Sequence, residues 1–141
     1  MDAKSFNNEH RTTEGYKTRV YVLYTGGTIG MVNREKGNTA SPLYPMDESA
    51  FREKIGDPGK TLGIYWTLKG IEGVAPLDSS DVDSRHWLMM AKVIEYEYDN
   101  YDGFVILHGT DTMAHTTSGL SFVLRNPLTK EVPMAILSSC P

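Results

Sequence analysis

The sequence predicts an α/β fold, a parallel, doubly wound sheet with flanking helices. Three observations carry that reading. Runs of β-branched and aromatic residues recur along the chain, most plainly at Arg19–Tyr24 (RVYVLY) and Phe104–His108 (FVILH). Stretches with apolar residues at helical spacing stand among them. Both runs lead into turns rich in glycine and hydroxyls, at Thr25–Gly30 and Gly109–Thr112. Strands alternating with helices at this spacing imply βαβ units, whose crossover helices cover a parallel sheet.

The elements follow in order. Met1–Lys17 has no apolar periodicity and is expected to be a flexible arm. The α/β domain is expected over residues 18–141. Arg19–Tyr24 is its first buried strand, and the three glycines of Thr25–Gly30 free the backbone for a sharp turn. Met31–Ser41 is polar with one glycine and predicts a mobile loop. Met46–Ile55 predicts a short helix, Asp57-Pro58-Gly59 a turn, and Leu62–Ile71 a second strand. An acidic loop, Gly73–Asp83, leads to a helix that Asp83 can cap. Trp87, Met90, Ala91, Ile94 and Tyr98 mark that helix's buried face. Tyr101-Asp102-Gly103 breaks it.

Phe104–His108 is almost wholly apolar, as a strand covered on both faces should be. Met113, Thr116, Leu120, Val123 and Leu124 give the inner stripe of the next helix, which Asn126-Pro127 stops. Val132–Leu137 predicts a last strand. The chain stops just after it, so the domain is expected to be incomplete at its C-terminus, part of a larger fold.

Composition narrows the function classes. A length of 141 residues suits one domain. With 40% hydrophobic and 23% charged residues, a folded core is expected rather than a disordered chain. A net charge of −4 with interspersed signs argues against a nucleic-acid binder. The apolar runs are too short for a transmembrane helix, and the polar start resembles no secretory signal. A lone cysteine, Cys140, rules out an intrachain disulfide and fits a reducing compartment, so the cytosol is the expected location. The expected partner is a small-molecule substrate, with no nucleic acid and no membrane.

Open α/β sheets bind ligands beyond the carboxyl ends of their strands. Three segments are expected there: Thr25–Gly30, Leu77–Asp83 and His108–Thr112. They carry Thr25, Thr28, Ser79, Ser80, Thr110 and Thr112, with Asp78, Asp81 and Asp111. A hydroxyl becomes a nucleophile when a base takes its proton, and glycine-turn N–H groups can hold an oxyanion. Carboxylates nearby would suit a substrate ammonium. The pattern fits amide or ester cleavage without metal or cofactor.

Plainer readings stand beside this one. The glycines can serve geometry alone, and neither G-x-G-x-x-G nor a Gly-Lys-Ser/Thr ending is present. Asp78, Asp81, Asp83, Asp111 and Thr112 could be helix caps. His108 and His115 lack further ligands for a metal and read as packed or hydrogen-bonded. Cys140 reads as a plain thiol, and Tyr96, Tyr98 and Tyr101 as packing. What favours a site is the convergence of three hydroxyl-rich loops on one rim.

The motifs resemble a known family. Tyr24–Met31 (YTGGTIGM) is similar to the first signature of the bacterial-type L-asparaginases, close to their cytoplasmic type I branch. Asp102–Met113 (DGFVILHGTDTM) is similar to the second, and Pro76–Asp81 to the substrate loop between them. The resemblance covers about Arg19 to Ile136. It implies that Thr28 is the nucleophile and Thr110 the second essential threonine. It implies that Asp111 holds the substrate ammonium and Ser79 the α-carboxylate, with Asp78 and Ser80 beside it. It implies an L-asparagine substrate, L-glutamine as a possible second, no cofactor, and a homo-oligomer for the full-length form.

The sequence departs from the family pattern in three places. The family's catalytic lysine, well downstream of the second threonine, has no counterpart before Pro141. Asn38 falls near the place of a flap tyrosine, with Tyr44 further on. The end reads Leu137-Ser138-Ser139-Cys140-Pro141 where the family carries Thr-Gly-Ser/Ala-Gln. The chain alone is therefore expected to be inactive or nearly so. The alternatives are a truncated, inactive member acting only as a binding or assembly partner, and a generic anion- or nucleotide-binding domain.

Overall fold

The computed structural model of the chain describes residues 16, 18–33, 40–124 and 133–138. Its elements are β1 (Arg19–Tyr24), β2 (Met31–Asn33), β3 (Leu43–Pro45), α1 (Glu48–Ile55), α2 (Pro58–Leu62), β4 (Tyr65–Gly70), α3 (Ser84–Glu97), β5 (Gly103–Leu107), α4 (Met113–Val123) and β6 (Met134–Leu137). Four strands form one sheet in the order β4-β1-β5-β6, and every pair is parallel. Val20 stands opposite Trp66 on one side and Gly103 on the other. The expected α/β architecture, a parallel sheet with helices on its faces, is the one observed.

The period of two along each strand divides the core. Tyr21 and Leu23 of β1, with Phe104 and Ile106 of β5, pack against Met90, Ala91 and Ile94 of α3 and Leu120 of α4. The intervening residues face the other way. Tyr24, Trp66, Leu68 and Leu107 enclose Phe51 of α1 and Met46. Fully burying each such side chain stabilises the fold by roughly 1.5–3 kcal/mol relative to exposure. Both faces of β1 and β5 are therefore committed, which explains their nearly unbroken apolar sequences.

Local chemistry sets the element boundaries. Asp83 accepts from the Arg85 and His86 amides, and the His86 side chain accepts from the Asp83 amide, a reciprocal capping box at the start of α3. Asp47 caps α1 through the Ala50 amide at 2.8 Å. Glu48, in the first turn of α1, accepts the Gly70 amide at 2.8 Å and so ties that helix to the last residue of β4. The Arg19 amide donates to Asp102 at 2.7 Å, joining the starts of β1 and β5.

Several expectations are corrected. Met31–Asn33, expected in a mobile loop, is a strand paired antiparallel with Leu43–Pro45. Asp57-Pro58-Gly59 is a helix start rather than a bare turn. Asp57 accepts from the Gly59 amide, and proline is well placed in a first helical turn. Gly63, in the left-handed region, ends that helix, so β4 begins at Tyr65 and not Leu62. Tyr96 is 68% exposed and is not packing, unlike Tyr98 and Tyr101. Val123 is exposed where the inner stripe of α4 should be. The expected arm at Met1–Lys17 (Tyr16 apart), Asn38, Asn126-Pro127 and Cys140 lie outside the described residues.

Candidate active site

The three expected loops meet at the carboxyl end of the sheet. The Thr25 amide donates to Leu107 O at 3.1 Å, and its hydroxyl donates to the same carbonyl at 2.8 Å. Thr25 is only 4% exposed, so its hydroxyl is committed to joining β1 and β5. The Leu77 amide donates to Thr25 O at 2.8 Å, and the Gly27 amide donates to Leu77 O at 3.2 Å. The loop after β1 is thus bonded on both sides.

Two glycines permit that closeness. Gly26 and Gly27 have φ of +122° and +84°, where side chains are strained. A Cβ on Gly27 would stand 2.5 Å from the Gly109 amide nitrogen, so the first and third loops touch backbone to backbone. Thr28 and Thr110 each follow one of these touching glycines.

Thr28 opens a 3-10 turn over Thr28–Gly30 and is half-buried. The far end of the turn is fixed by Tyr24, whose hydroxyl donates to Met46 O at 3.0 Å, with Gly30 O at 3.3 Å. The Tyr24 ring stacks on Phe51 with centroids 4.6 Å apart. Burial, and then the charge of Asp47, push the Tyr24 phenol up to about 12.

The second and third loops are joined by side chains. The buried Ser79 hydroxyl donates to Asp111 Oδ2 at 3.0 Å. Thr112 Oγ1 donates to Ser79 O at 2.6 Å. Asp111 and Thr112 therefore do not cap α4; their side chains reach across to the Ser79 turn. Thr110 and Asp111 are exposed at the rim. Asp78 and Ser80 sit beside this pair but engage each other. The Asp78 carboxylate accepts the Ser80 amide at 3.0 Å and its hydroxyl at 2.9 Å. Those bonds, the amide's first, hold Asp78 below the usual carboxylate range. Asp83 does cap its helix, and the Arg85 guanidinium holds its carboxyl far below that range.

Behind the rim His108 is fully buried, with Nδ1 2.6 Å from Gly109 O and Nε2 3.0 Å from Thr116 Oγ1. Trp87 Nε1 donates to that same hydroxyl at 3.1 Å. Sequence reasoning placed Trp87 and Thr116 only on apolar stripes. The signal available was a hydroxyl in an otherwise apolar face. Among the described residues, no group of three or more His, Cys, Asp or Glu is placed to hold a metal. A cavity of about 860 Å³ is lined by Tyr21, Tyr24, Gly70, Pro76, Tyr96 and Glu97 among others. None of the candidate site residues lines it. The loop bonds, not cavity volume, locate the rim.

Fold and rim together define an α/β protein whose candidate ligand site is made of hydroxyls, exposed carboxylates and glycine backbone. The family model described as "Asparaginase, N-terminal" matches residues 19–133, and the chain belongs to the asparaginase family. L-asparaginase 1 of Escherichia coli (strain K12) is 42% identical over 113 residues, covering 78% of this chain and 31% of that protein. The 60 kDa lysophospholipase of Mus musculus is 35% identical over 131 residues, covering 79% of this chain and 22% of that protein. The crystal structure of L-asparaginase I from Vibrio cholerae superposes with a TM-score of 0.64 at 34% identity, covering 86% of this chain and 33% of that one. The chain thus spans a third or less of the length of these relatives.

Proposed function

We propose that the chain supplies the nucleophile half of an amidohydrolase that converts L-asparagine to L-aspartate and ammonia. The observation that carries this reading is the Ser79–Asp111 pair, 3.0 Å apart at the rim where the Thr28 and Thr110 loops meet. It sets a hydroxyl donor beside an anion. An α-amino acid presents the complementary pair, a carboxylate beside an ammonium. On binding, Asp111 takes the ammonium and Ser79 turns its hydrogen to the α-carboxylate, with Asp78 and Ser80 shaping the loop beneath. Fixing both charged ends leaves the side-chain amide one direction in which to extend, and that restriction brings the amide carbon to a nucleophile.

Thr28 is that nucleophile. Its oxygen bonds to the amide carbon, the C–N bond breaks, and the nitrogen leaves as ammonia with the threonine proton. Water then cleaves the ester, releasing aspartate and restoring the hydroxyl. Thr25 is disfavoured for the role because its hydroxyl is buried and bonded to Leu107 O. Thr110 takes the activating or second-step role. L-glutamine fits the same two anchoring contacts. We assign the working form to a homo-oligomer in the cytosol, the compartment that the lone Cys140 suits. No helix among the described residues is long and apolar enough to cross a membrane.

Exposed Leu88, Phe122 and Leu137 favour a second reading, in which the chain acts only as a binding or assembly partner. Two measurements test the readings, the first on the purified 141-residue chain and the second on that chain joined to the remaining length of a family member. Titration with L-asparagine, followed by NMR, is expected to shift Ser79 and Asp111; an unchanged spectrum at saturating ligand sinks the substrate assignment. Mass spectrometry after treatment with an electrophilic asparagine analogue is expected to map the adduct to Thr28. An adduct on Thr110 reverses the two threonine roles, and binding without any adduct favours the partner reading.

A further inference from the structure

Thr116 lies one layer behind the rim, and its hydroxyl is the middle of a chain of bonds running from α3 to the third loop. An indole N–H can only donate, so Trp87 Nε1 gives its hydrogen to Thr116 Oγ1 at 3.1 Å. A carbonyl can only accept, so the 2.6 Å contact with Gly109 O places a hydrogen on His108 Nδ1. In the neutral ring Nε2 is then an acceptor. The Thr116 hydroxyl, 3.0 Å away, supplies the hydrogen it takes. The bonds run in one sense: Trp87 to Thr116, Thr116 to His108, His108 to Gly109 O. His108 and Thr116 are fully buried, so water cannot replace a lost partner. The helices approach closely here. A Cβ on Gly119 of α4 would stand 2.6 Å from Trp87 Cδ2 of α3.

We infer that Thr116 is a positioning residue for the site: through His108 it fixes the peptide plane between Gly109 and Thr110. The Gly109 carbonyl and the Thr110 amide share that plane, so holding one orients the other. A Cβ on Gly109 would strike the Ser79 side chain and come 3.4 Å from Gly27 Cα, so the turn has little freedom once its carbonyl is held. The turn closes where the Met113 amide donates to Thr110 O at 3.3 Å. Asp111, next in the turn, then meets Ser79. Thr116 touches none of the proposed ligand contacts, yet both Thr110 and Asp111 depend on it. The inference rests on the proposed rim site for its consequence in binding, but not for its effect on the turn.

The test uses the full chain with Thr116→Val, which keeps the shape and removes the hydroxyl, and Thr116→Ser, which keeps the hydroxyl. Thr116→Val is expected to speed hydrogen exchange at the Met113 amide about tenfold and weaken L-asparagine binding by a similar factor, the size of one buried hydrogen bond. Exchange at Leu23 in β1 should not move, and Thr116→Ser should restore both readouts. Wild-type exchange at Met113 in Thr116→Val overturns the inference, as does a Thr116→Ser protein no better than Thr116→Val. If Thr116→Val does not fold, Trp87→Phe removes the first donor instead and must still speed Met113 exchange. Asp111→Asn separates the two ideas. Binding insensitive to Asp111→Asn refutes the substrate reading, whereas loss of binding in Asp111→Asn but not in Thr116→Val refutes the positioning role.

Discussion

Ser79 Oγ donates to Asp111 Oδ2 across 3.0 Å, between residues 32 positions apart in the sequence. The hydroxyl is buried and the carboxylate exposed, so the bond anchors a charge at the rim from below. Thr112 doubles the link through Ser79 O.

Removing that anchor should separate binding from stability. In Ser79→Ala, the substrate α-carboxylate loses the hydroxyl donor that the proposed pose gives it. A hydrogen bond to a charged group contributes about 1.5–3 kcal/mol, so affinity for L-asparagine should fall by about tenfold or more. Thermal unfolding should shift little, because the partner left behind is solvent-exposed. Calorimetric titration beside a melting curve checks both; equal affinity for wild type and variant contradicts the arrangement.

Gly27 and Gly63 make a controlled pair. Both have positive φ, +84° and +65°. Nothing lies within 4 Å of a Cβ on Gly63, whereas one on Gly27 strikes the Gly109 backbone. Gly63→Ala should cost about 1–2 kcal/mol, the backbone penalty alone. Gly27→Ala should cost clearly more and should also abolish ligand binding, because it drives the first and third loops apart. Urea unfolding of the two variants measures the difference.

Tyr24→Phe keeps the stack on Phe51 and deletes the bonds to Met46 O and Gly30 O. A loss of about 1–2 kcal/mol is expected. The same phenol predicts an alkaline limit. Its folded value is raised to about 12 by burial, above its ordinary value of 10.0. The unfolded chain therefore ionises first. The contribution is complete below about pH 10 and is lost as pH rises toward 12. Wild type should thus lose stability over that window more steeply than Tyr24→Phe, with ultraviolet absorbance following the phenolate.

Asp83 gives the acid counterpart. The Arg85 guanidinium and the helix amides lower its carboxyl, so its capping contribution is present above the ordinary Asp range near pH 4 and fades on acidification. Asp83→Ala should melt earlier than wild type at neutral pH, with the gap closing as the pH falls well below 4. A gap independent of pH would show that the capping box does not depend on charge.

Parts whose signals are local are legible in the residues alone. RVYVLY and FVILH read as strands because each satisfies both sheet faces from its own residues, and β1 and β5 lie where those runs lie. The expected cap at Asp83 depends on near neighbours and is present, and the expected break at Tyr101-Asp102-Gly103 follows the last helical turn, Tyr98–Asn100. Gly-rich turns after strands also located the rim, because parallel topology puts such turns at one end of the sheet. The Asp57-Pro58-Gly59 signal was ambiguous, since the same residues serve a turn and a helix start. The β2–β3 pairing escaped because three-residue strands carry too little pattern to show their partner. Which carboxylate meets which hydroxyl is set by long-range packing. Asp111 could have capped its own helix; it bonds Ser79 instead because Gly109 lets the Ser79 side chain lie where a Cβ would stand. Thr116 likewise read as a core residue until the fold set Trp87 and His108 on either side of its hydroxyl. Such pairings depend on the distance between side chains far apart in sequence, and packing alone sets that distance.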